Sequence, residues 1–418
     1  MDIFDTKIDG IYAMLASFLT NKEKAHLALV SRKFMLACNP KYIHQLKTKY
    51  VEYAVKFPNL CNLQFWNAQS VNCDHISVLT DLTTLNFYDT QVEEPSALAS
   101  LVNLRSLHLC DNNIVSCVPF AYLVNLQKLE ICRDKIIDCS ALTNLTNLQE
   151  LYISGNPNID ISPLSSLVNL RRLYVEHNNI VDCSPLSSLI HLQKLVMDAN
   201  RVSDYSPLAS LPNLRELSVC SNRIVNTSSL QLLVNLRVLY MKFNNIVNCS
   251  LSALINLREL HVCYNKIVYC SSLSKLVNLQ QLYITHNGIT DCSQMSSLVN
   301  LRILDISCNQ IVDCSSLSKL VNLQILLISH NRIVDCSHLS HLTGLIKLTI
   351  GNNRIVDCSP LSKLVNLCRL DVSVNRIVDC SSLMTLVNLC WIDIRNNRIV
   401  DHSALMILED TEICYRDE

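Results

Sequence analysis

From about residue 58 onward the apolar residues recur in one frame, L-x-x-L-x-I-x-x-N-x-I, as in LQKLEICRDKI, LRRLYVEHNNI and LRILDISCNQI. Alternation across L-x-I predicts a short strand with one face buried and the other outward. The Asn then falls where the chain turns, and its side-chain amide can bond the backbone of its own and the next turn. The following stretch, IVDCSPLSSLVN, carries further apolar side chains on a return path, with Ser-Pro or Ser-Ser opening a short turn or 3₁₀ segment. The turn Asn stands at 112, 156, 178, 200, 222, 244, 265, 287, 309, 331, 353, 375 and 397. The step is 22 residues, apart from one of 21 between Asn244 and Asn265, and Asp134 fills the one gap. Backwards, the register lands on Thr90 and Ala68, giving about 16 units that end near residue 410. A period of this length predicts a solenoid in which each unit packs only on its neighbours.

The pattern resembles the leucine-rich repeats of the short, 22-residue class found in internalins and in phosphatase regulators, over most of the chain. The resemblance implies an α/β repeat solenoid: a curved ribbon with a parallel, concave β-sheet and a short helical N-terminal segment. Strands spaced about 4.8 Å apart would make the whole array about 75 Å long. Residues 59–418 are assigned to it, with a short C-terminal end.

Five residues after the turn Asn stands a cysteine in most units, among them Cys73, Cys139, Cys249, Cys314, Cys336 and Cys358. A free thiol behaves as a small buried hydrophobe, so this column is expected in the core. A Ser placed there would bury a hydroxyl with no assured partner. The 21 cysteines are an odd total, and pairing them along a column would strain a regular stack. That many thiols fit a reducing compartment, so the chain is expected to be intracellular, in the cytoplasm. Neither CxxC nor HxxxH occurs, and ligands taken one per repeat in a row cannot surround an ion, so no metal site is expected.

Between the last two core positions of each strand lies an outward residue, and this column varies while the framework repeats. It includes Tyr152, Tyr174, Tyr240, His261 and Tyr283, in a chain with only 6% aromatics. Phe243 and Tyr264, just before their Asn, extend the group. Tyr pairs apolar area with a polar tip and is enriched at binding hot spots, so these seven are the candidate partner-binding residues of the concave face. A cationic column (Arg201, Arg223, Arg332, Arg354) precedes an acidic one by three residues (Asp204, Asp313, Asp335, Asp357). An exposed ion-pair ladder is expected of them.

Residues 1–58 follow a different period. Ile11, Met14, Leu15, Phe18 and Leu19 share one helical face, Leu27, Val30 and Phe34 suggest a second helix, and Ile43, Leu46, Tyr50, Tyr53 and Phe57 a third. The stretch LASFLTNKEKAHLALVSRKF (15–34) resembles an F-box, with Phe18-Leu19 as its apolar pair and VSRKF at the family spacing. Where that family carries Leu-Pro, this chain has Lys7-Ile8. The resemblance implies that Leu15, Phe18, Leu19, Val30 and Phe34 dock the adaptor of a ubiquitin ligase while the repeats hold its substrate. The alternative is a stand-alone regulator of phosphatase-regulator type, with these helices only capping the solenoid's open edge.

Composition narrows the remaining classes. A net charge of -1 offers no general attraction to nucleic acid or to an acidic membrane. No apolar run is long enough to span a bilayer. With five glycines and no GxGxxG, GxxxxGK[ST] or GxSxG, neither a phosphate-cradling loop nor a nucleophile elbow is present. No catalytic constellation and no cofactor site emerge. The expectation is a non-enzymatic interaction scaffold, monomeric apart from its protein partners.

Overall fold

The computed structural model describes residues 45–48, 54, 55, 57, 59–88, 90–93, 95–408 and 411–415. The chain forms two compact units, Met1–Asn200 and Arg201–Glu418. Each is built of stacked repeats of about 22 residues.

In Met1–Asn200 the strands run parallel in chain order from Gln45–Thr48 and Asn62–Trp66 through Thr84–Tyr88, Ser106–His108, Lys128–Glu130, Glu150–Tyr152 and Arg172–Tyr174 to Lys194–Val196. Register follows the repeat: Leu107 stands opposite Leu129 and Leu129 opposite Leu151. Arg201–Glu418 repeats the arrangement from Glu216–Ser218 to Glu412–Cys414, its strands again in parallel register. Three-residue strands suffice because the middle residue is a Leu or Ile that is buried outright, whereas its neighbours face outward.

Most strands return through a 3₁₀ segment such as Ser184–Ser188 or Ser315–Lys319, whose third residue, Leu186 or Leu317, is buried. Here the acidic column finds its use, and it is not the expected ion-pair ladder. Asp182 accepts from the Ser184 amide at 2.8 Å and from its hydroxyl at 2.6 Å, and Asp313 and Asp335 do the same for Ser315 and Ser337. Each carboxylate therefore fastens the start of a 3₁₀ turn, a local bond that outcompetes a screened, long-armed pair with Arg. Bonds from the Ser184 hydroxyl and amide hold the Asp182 carboxyl below its ordinary pKa.

The turn Asn is buried in most repeats and fully used. Asn309 Nδ2 donates to the carbonyls of Ile306 (3.0 Å), Ser307 (3.1 Å) and Ile284 (3.1 Å), while Oδ1 accepts from the Ile289 amide (3.1 Å). One side chain thus satisfies four backbone groups. The adjacent turn it reaches belongs to the preceding repeat, not the next. The residue before it is left-handed in every described repeat, from Asn67 (φ 51) to Asn396 (φ 55), including Val374 (φ 53). Gly155 is the single glycine among them.

The cysteine column is buried as expected, with Cys292, Cys314, Cys336 and Cys358 at most 1% exposed. The thiols also have a polar use. Cys314 Sγ donates to the Asp335 carbonyl at 3.5 Å, Cys336 to Asp357 at 3.3 Å and Cys358 to Asp379 at 3.3 Å. The described cysteines are all free. Burial, followed by the fields of neighbouring thiols and carboxylates, pushes Cys314 up to about 12, so it stays a protonated donor.

One expectation for the N-terminal segment fails. Residues 45–48 are a strand paired with Asn62–Trp66, not part of a third helix, and Leu46 is buried in register with Leu63. The buried positions Leu46 and Thr48 also suit a period of two, and an open sheet edge rewards that choice with backbone bonds. The F-box-like positions Leu15, Phe18, Leu19, Val30 and Phe34 lie outside the described residues.

Candidate partner-binding face

Outward positions of successive strands are brought side by side by the 22-residue register, so a column in the sequence becomes a row of touching side chains. In Met1–Asn200, Tyr152 stacks on Tyr174 with ring centroids 4.2 Å apart and planes 8° from parallel. Lys128 lies over the Tyr152 ring at 5.2 Å and Lys194 over the Tyr174 ring at 5.6 Å, so cations flank the pair. Lys128 also meets a Glu130 oxygen at 2.7 Å, and His108 Nδ1 meets the other at 2.8 Å. The His108 hydrogen bond, with that of Lys128 and against the cost of burial, holds the Glu130 carboxyl down to about 2. Burial, then the neighbouring Tyr174, raises the Tyr152 phenol, which stays a neutral donor at physiological pH.

Arg201–Glu418 carries two stacks. Tyr240, His261 and Tyr283 follow one another at 4.5 and 4.3 Å. Glu259 binds this group from below, accepting from the Tyr240 hydroxyl at 2.9 Å and facing His261 Nε2 at 2.7 Å. Burial lowers the His261 pKa despite that carboxylate, so the ring is neutral there. The second stack is Phe243, Tyr264 and His286, at 4.4 and 4.1 Å. Phe243 is 53% exposed and Tyr264 45% exposed. All three of its residues occupy the left-handed position before the turn Asn, at φ 55, 55 and 51. Bulky side chains are disfavoured there by about 1 kcal/mol or more each.

All seven sequence candidates thus lie in aromatic stacks. Tyr152 and Tyr174 form a pair in one unit, and the other five belong to the two stacks of the second. His286 joins Tyr264 unforeseen. The reading of the sequence also missed an open groove of ≈ 950 Å³ at the strand starts of Arg201–Glu418, lined by Arg215, Arg237, Arg258 and Arg302. Its signal was present in LPNLR, LVNLR and LINLR, a basic residue in a fixed column. Guanidinium forks in a row suit carboxylates. Among the described residues no helix is long and apolar enough to cross a membrane.

Parallel one-Leu strands, 3₁₀ returns and the buried Asn ladder define the class, and comparison with known proteins agrees. The family model of leucine-rich repeats in two copies matches residues 168–210, 255–297, 277–320, 299–341 and 321–363. The crystal structure of an internalin from Listeria monocytogenes is 32% identical, with a TM-score of 0.67, over 71% of this chain and 88% of that one. A leucine-rich-repeat protein of Leptospira interrogans shares the fold at 20% identity and a TM-score of 0.70, over 88% of this chain and 99% of that one. A plant peptide hormone receptor, solved in complex with its peptide, does so at 21% identity and a TM-score of 0.68, over 89% of this chain and 68% of that one. No curated protein sequence matches the chain. The chain belongs to the leucine-rich-repeat proteins.

Proposed function

We propose that this chain is a non-enzymatic scaffold that captures a protein partner on the outward faces of its sheets. The observation that carries this reading is the exposed Phe243–Tyr264–His286 stack beside Tyr240–His261–Tyr283, in a chain with only 6% aromatics. Exposed, prestacked rings lose little conformational freedom on binding and bury much area per residue. The peptide-bound plant receptor of like fold supports the same use of the scaffold. The free thiols of the core support a reducing, cytoplasmic setting.

The finer reading rests on the sequence. Residues 15–34 serve as an F-box-like adaptor-docking segment, through Leu15, Phe18, Leu19, Val30 and Phe34, and the repeats then present a substrate for ubiquitin transfer. A second reading, a stand-alone regulator with residues 1–58 as a cap, draws support from the strand Gln45–Thr48, which extends the sheet and covers its first edge.

One pair of variants separates them. Deletion of residues 1–36 is expected to remove adaptor and cullin from the purified complex and leave the substrate bound. The changes Tyr240→Ala, Phe243→Ala and Tyr264→Ala are expected to do the reverse. Hot-spot aromatics cost about 2 kcal/mol each, a roughly thirtyfold loss of affinity. A chain that captures a partner through its repeats and never recovers an adaptor leaves the scaffold and removes the ligase. Unchanged partner capture by the aromatic variants, with the repeats folded, removes the proposed face.

A further inference from the structure

Two neighbouring repeats of Met1–Asn200 place three unlike metal-ligand groups together. His108 and Cys110 lie two residues apart in one repeat, and Glu130 stands opposite His108 in the next. Ladder bonds continue past the strand ends, from the Leu109 amide to the Glu130 carbonyl (2.8 Å) and from the Asp111 amide to the Cys132 carbonyl (2.8 Å). The two runs therefore stay parallel, and His108 and Cys110 face the same side. Donor atoms of His108, Cys110 and Glu130 all lie within 4.8 Å of one another, each residue half-buried. They border an open depression of ≈ 700 Å³, wide enough to admit a hydrated ion and a further ligand.

We propose that His108, Cys110 and Glu130 form a divalent-metal site of the zinc type, with one coordination position left open. The donor set is imidazole, thiolate and carboxylate, a mixture that suits Zn²⁺ and poorly suits Mg²⁺ or Ca²⁺, which take oxygen only. Tetrahedral zinc at bond lengths of about 2.0–2.3 Å holds its ligand atoms between about 3.3 and 3.8 Å apart. The three groups need close by only about 1 Å. On binding, the Cys110 thiol loses its proton to solvent and its sulfur takes the metal.

Second-sphere contacts are already built. The Cys132 amide donates to Cys110 Sγ at 3.3 Å, a bond that favours the thiolate. Glu130 divides its oxygens: Oε1 is held by Lys128 at 2.7 Å, while Oε2 faces His108 at 2.8 Å. A metal replacing the His108–Oε2 contact would leave Lys128 orienting the carboxylate from the other side, as outer-sphere partners of metal ligands do. Two anionic ligands balance the ion's charge. Ligands taken one per repeat in a row could not surround an ion. Here one repeat supplies two and its neighbour the third.

Cobalt(II) titration of the reduced full chain tests this, because a thiolate–cobalt charge-transfer band and intense tetrahedral bands report the ligand type directly. The expected result is one equivalent bound, displaced by Zn²⁺, with the charge-transfer band lost in Cys110→Ser. Affinity should fall at least about 100-fold in Cys110→Ser and Glu130→Gln, beyond the loss usual for an outer-sphere partner. Glu130→Gln keeps every thiol and the side-chain size, so it stands if Cys110→Ser fails to fold. A chain that takes up no Co²⁺ at micromolar concentration overturns the site. So does a band that survives both variants and disappears in Cys390→Ser, which would place the metal on an exposed surface thiol.

Discussion

In Arg201–Glu418 the turn position is Asn at every repeat from Asn222 to Asn397, whereas in Met1–Asn200 it is interrupted by Ala68, Thr90 and Asp134. The difference shows which half of the amide matters. Thr90 recovers part of the ladder, its hydroxyl accepting from the Ala68 amide at 3.2 Å and donating to the Tyr88 carbonyl at 2.9 Å. Asp134 keeps the accepting half: Oδ1 takes the amides of Asn112 and Ile114, both at 2.9 Å. Its second oxygen is buried with no partner among the described residues, in the place where Asn309 carries its donating NH₂. Burial raises the Asp134 carboxyl to about 6, against the pull of those two amides and with Asp111 adding to the rise. At Asp134 the acceptor is kept, and the donor is what is given up.

Transplanting the defect gives the largest expected effect. Asn331→Asp should remove donors from the carbonyls of Ile306, Ile328 and Ser329 and bury a carboxylate among them. The expected loss is about 3 kcal/mol at neutral pH. Because repeats touch only their neighbours, hydrogen exchange should rise in the adjoining repeats first. Uniform loss of protection across Arg201–Glu418 would contradict a quasi-linear array.

The reciprocal change should be smaller and opposite in sign. Asp134→Asn is expected to stabilise Met1–Asn200 by about 2 kcal/mol at pH 7, and to remove a pH dependence. An unfolded Asp titrates near about 3.9, and folding raises this one to about 6. The folded state therefore binds the proton more tightly. Its contribution is fully present below about pH 4 and is lost as pH rises through about 6. Denaturant melts of both proteins between pH 4 and 7 measure this. Curves that stay parallel would mean that Asp134 titrates normally.

The framework was legible because the period fixes it: the spacing of Leu129, Ile131 and Asp134 alone places a strand and a turn. Features that depend on competition between partners were not legible. Asp335 had two plausible partners in the sequence, the cation Arg332 three residues before it and a backbone amide two residues after. Only local geometry decided for the amide. The left-handed residue before each Asn was invisible because its usual marker, glycine, appears only at Gly155. The tyrosine column was readable, but the division into a pair and two stacks was not, since nothing in the spacing marks where contact stops. Leu46 was misread because a period-two and a period-four pattern coincide over four residues.

A smaller contrast is expected within the cysteine slot. Thr227 occupies it natively, donating to the Ser250 carbonyl at 3.2 Å and accepting from the Ser250 amide at 2.8 Å. A hydroxyl at Cys314 would likewise meet a carbonyl, that of Asp335, so the sequence-based expectation of a stranded hydroxyl does not hold. Cys314→Ser should cost under about 1 kcal/mol, and Cys314→Ala, which removes both packing and donor, about 1–2 kcal/mol. The reverse order in denaturant melts would show that packing volume alone sets the slot.

The smallest effect on stability, and the sharpest on chemistry, separates core thiols from surface ones. Cys390 is exposed and its sulfur lies 2.8 Å from that of Cys368, the matching residue of the preceding repeat, whereas Cys336 and Cys358 are buried and pushed up to about 12. Thiolate is the reactive form, so burial suppresses the core column twice, by access and by ionisation. A thiol reagent should modify Cys390 and Cys368 in the native protein within minutes and reach the core column only on unfolding. Mild oxidation should join the same two residues and change the melting midpoint by no more than a few degrees. Mass mapping of the labelled peptides decides it: native-state labelling of Cys336 or Cys358 at the rate of Cys390 would mean that the column is not a sealed core but opens locally in the folded protein.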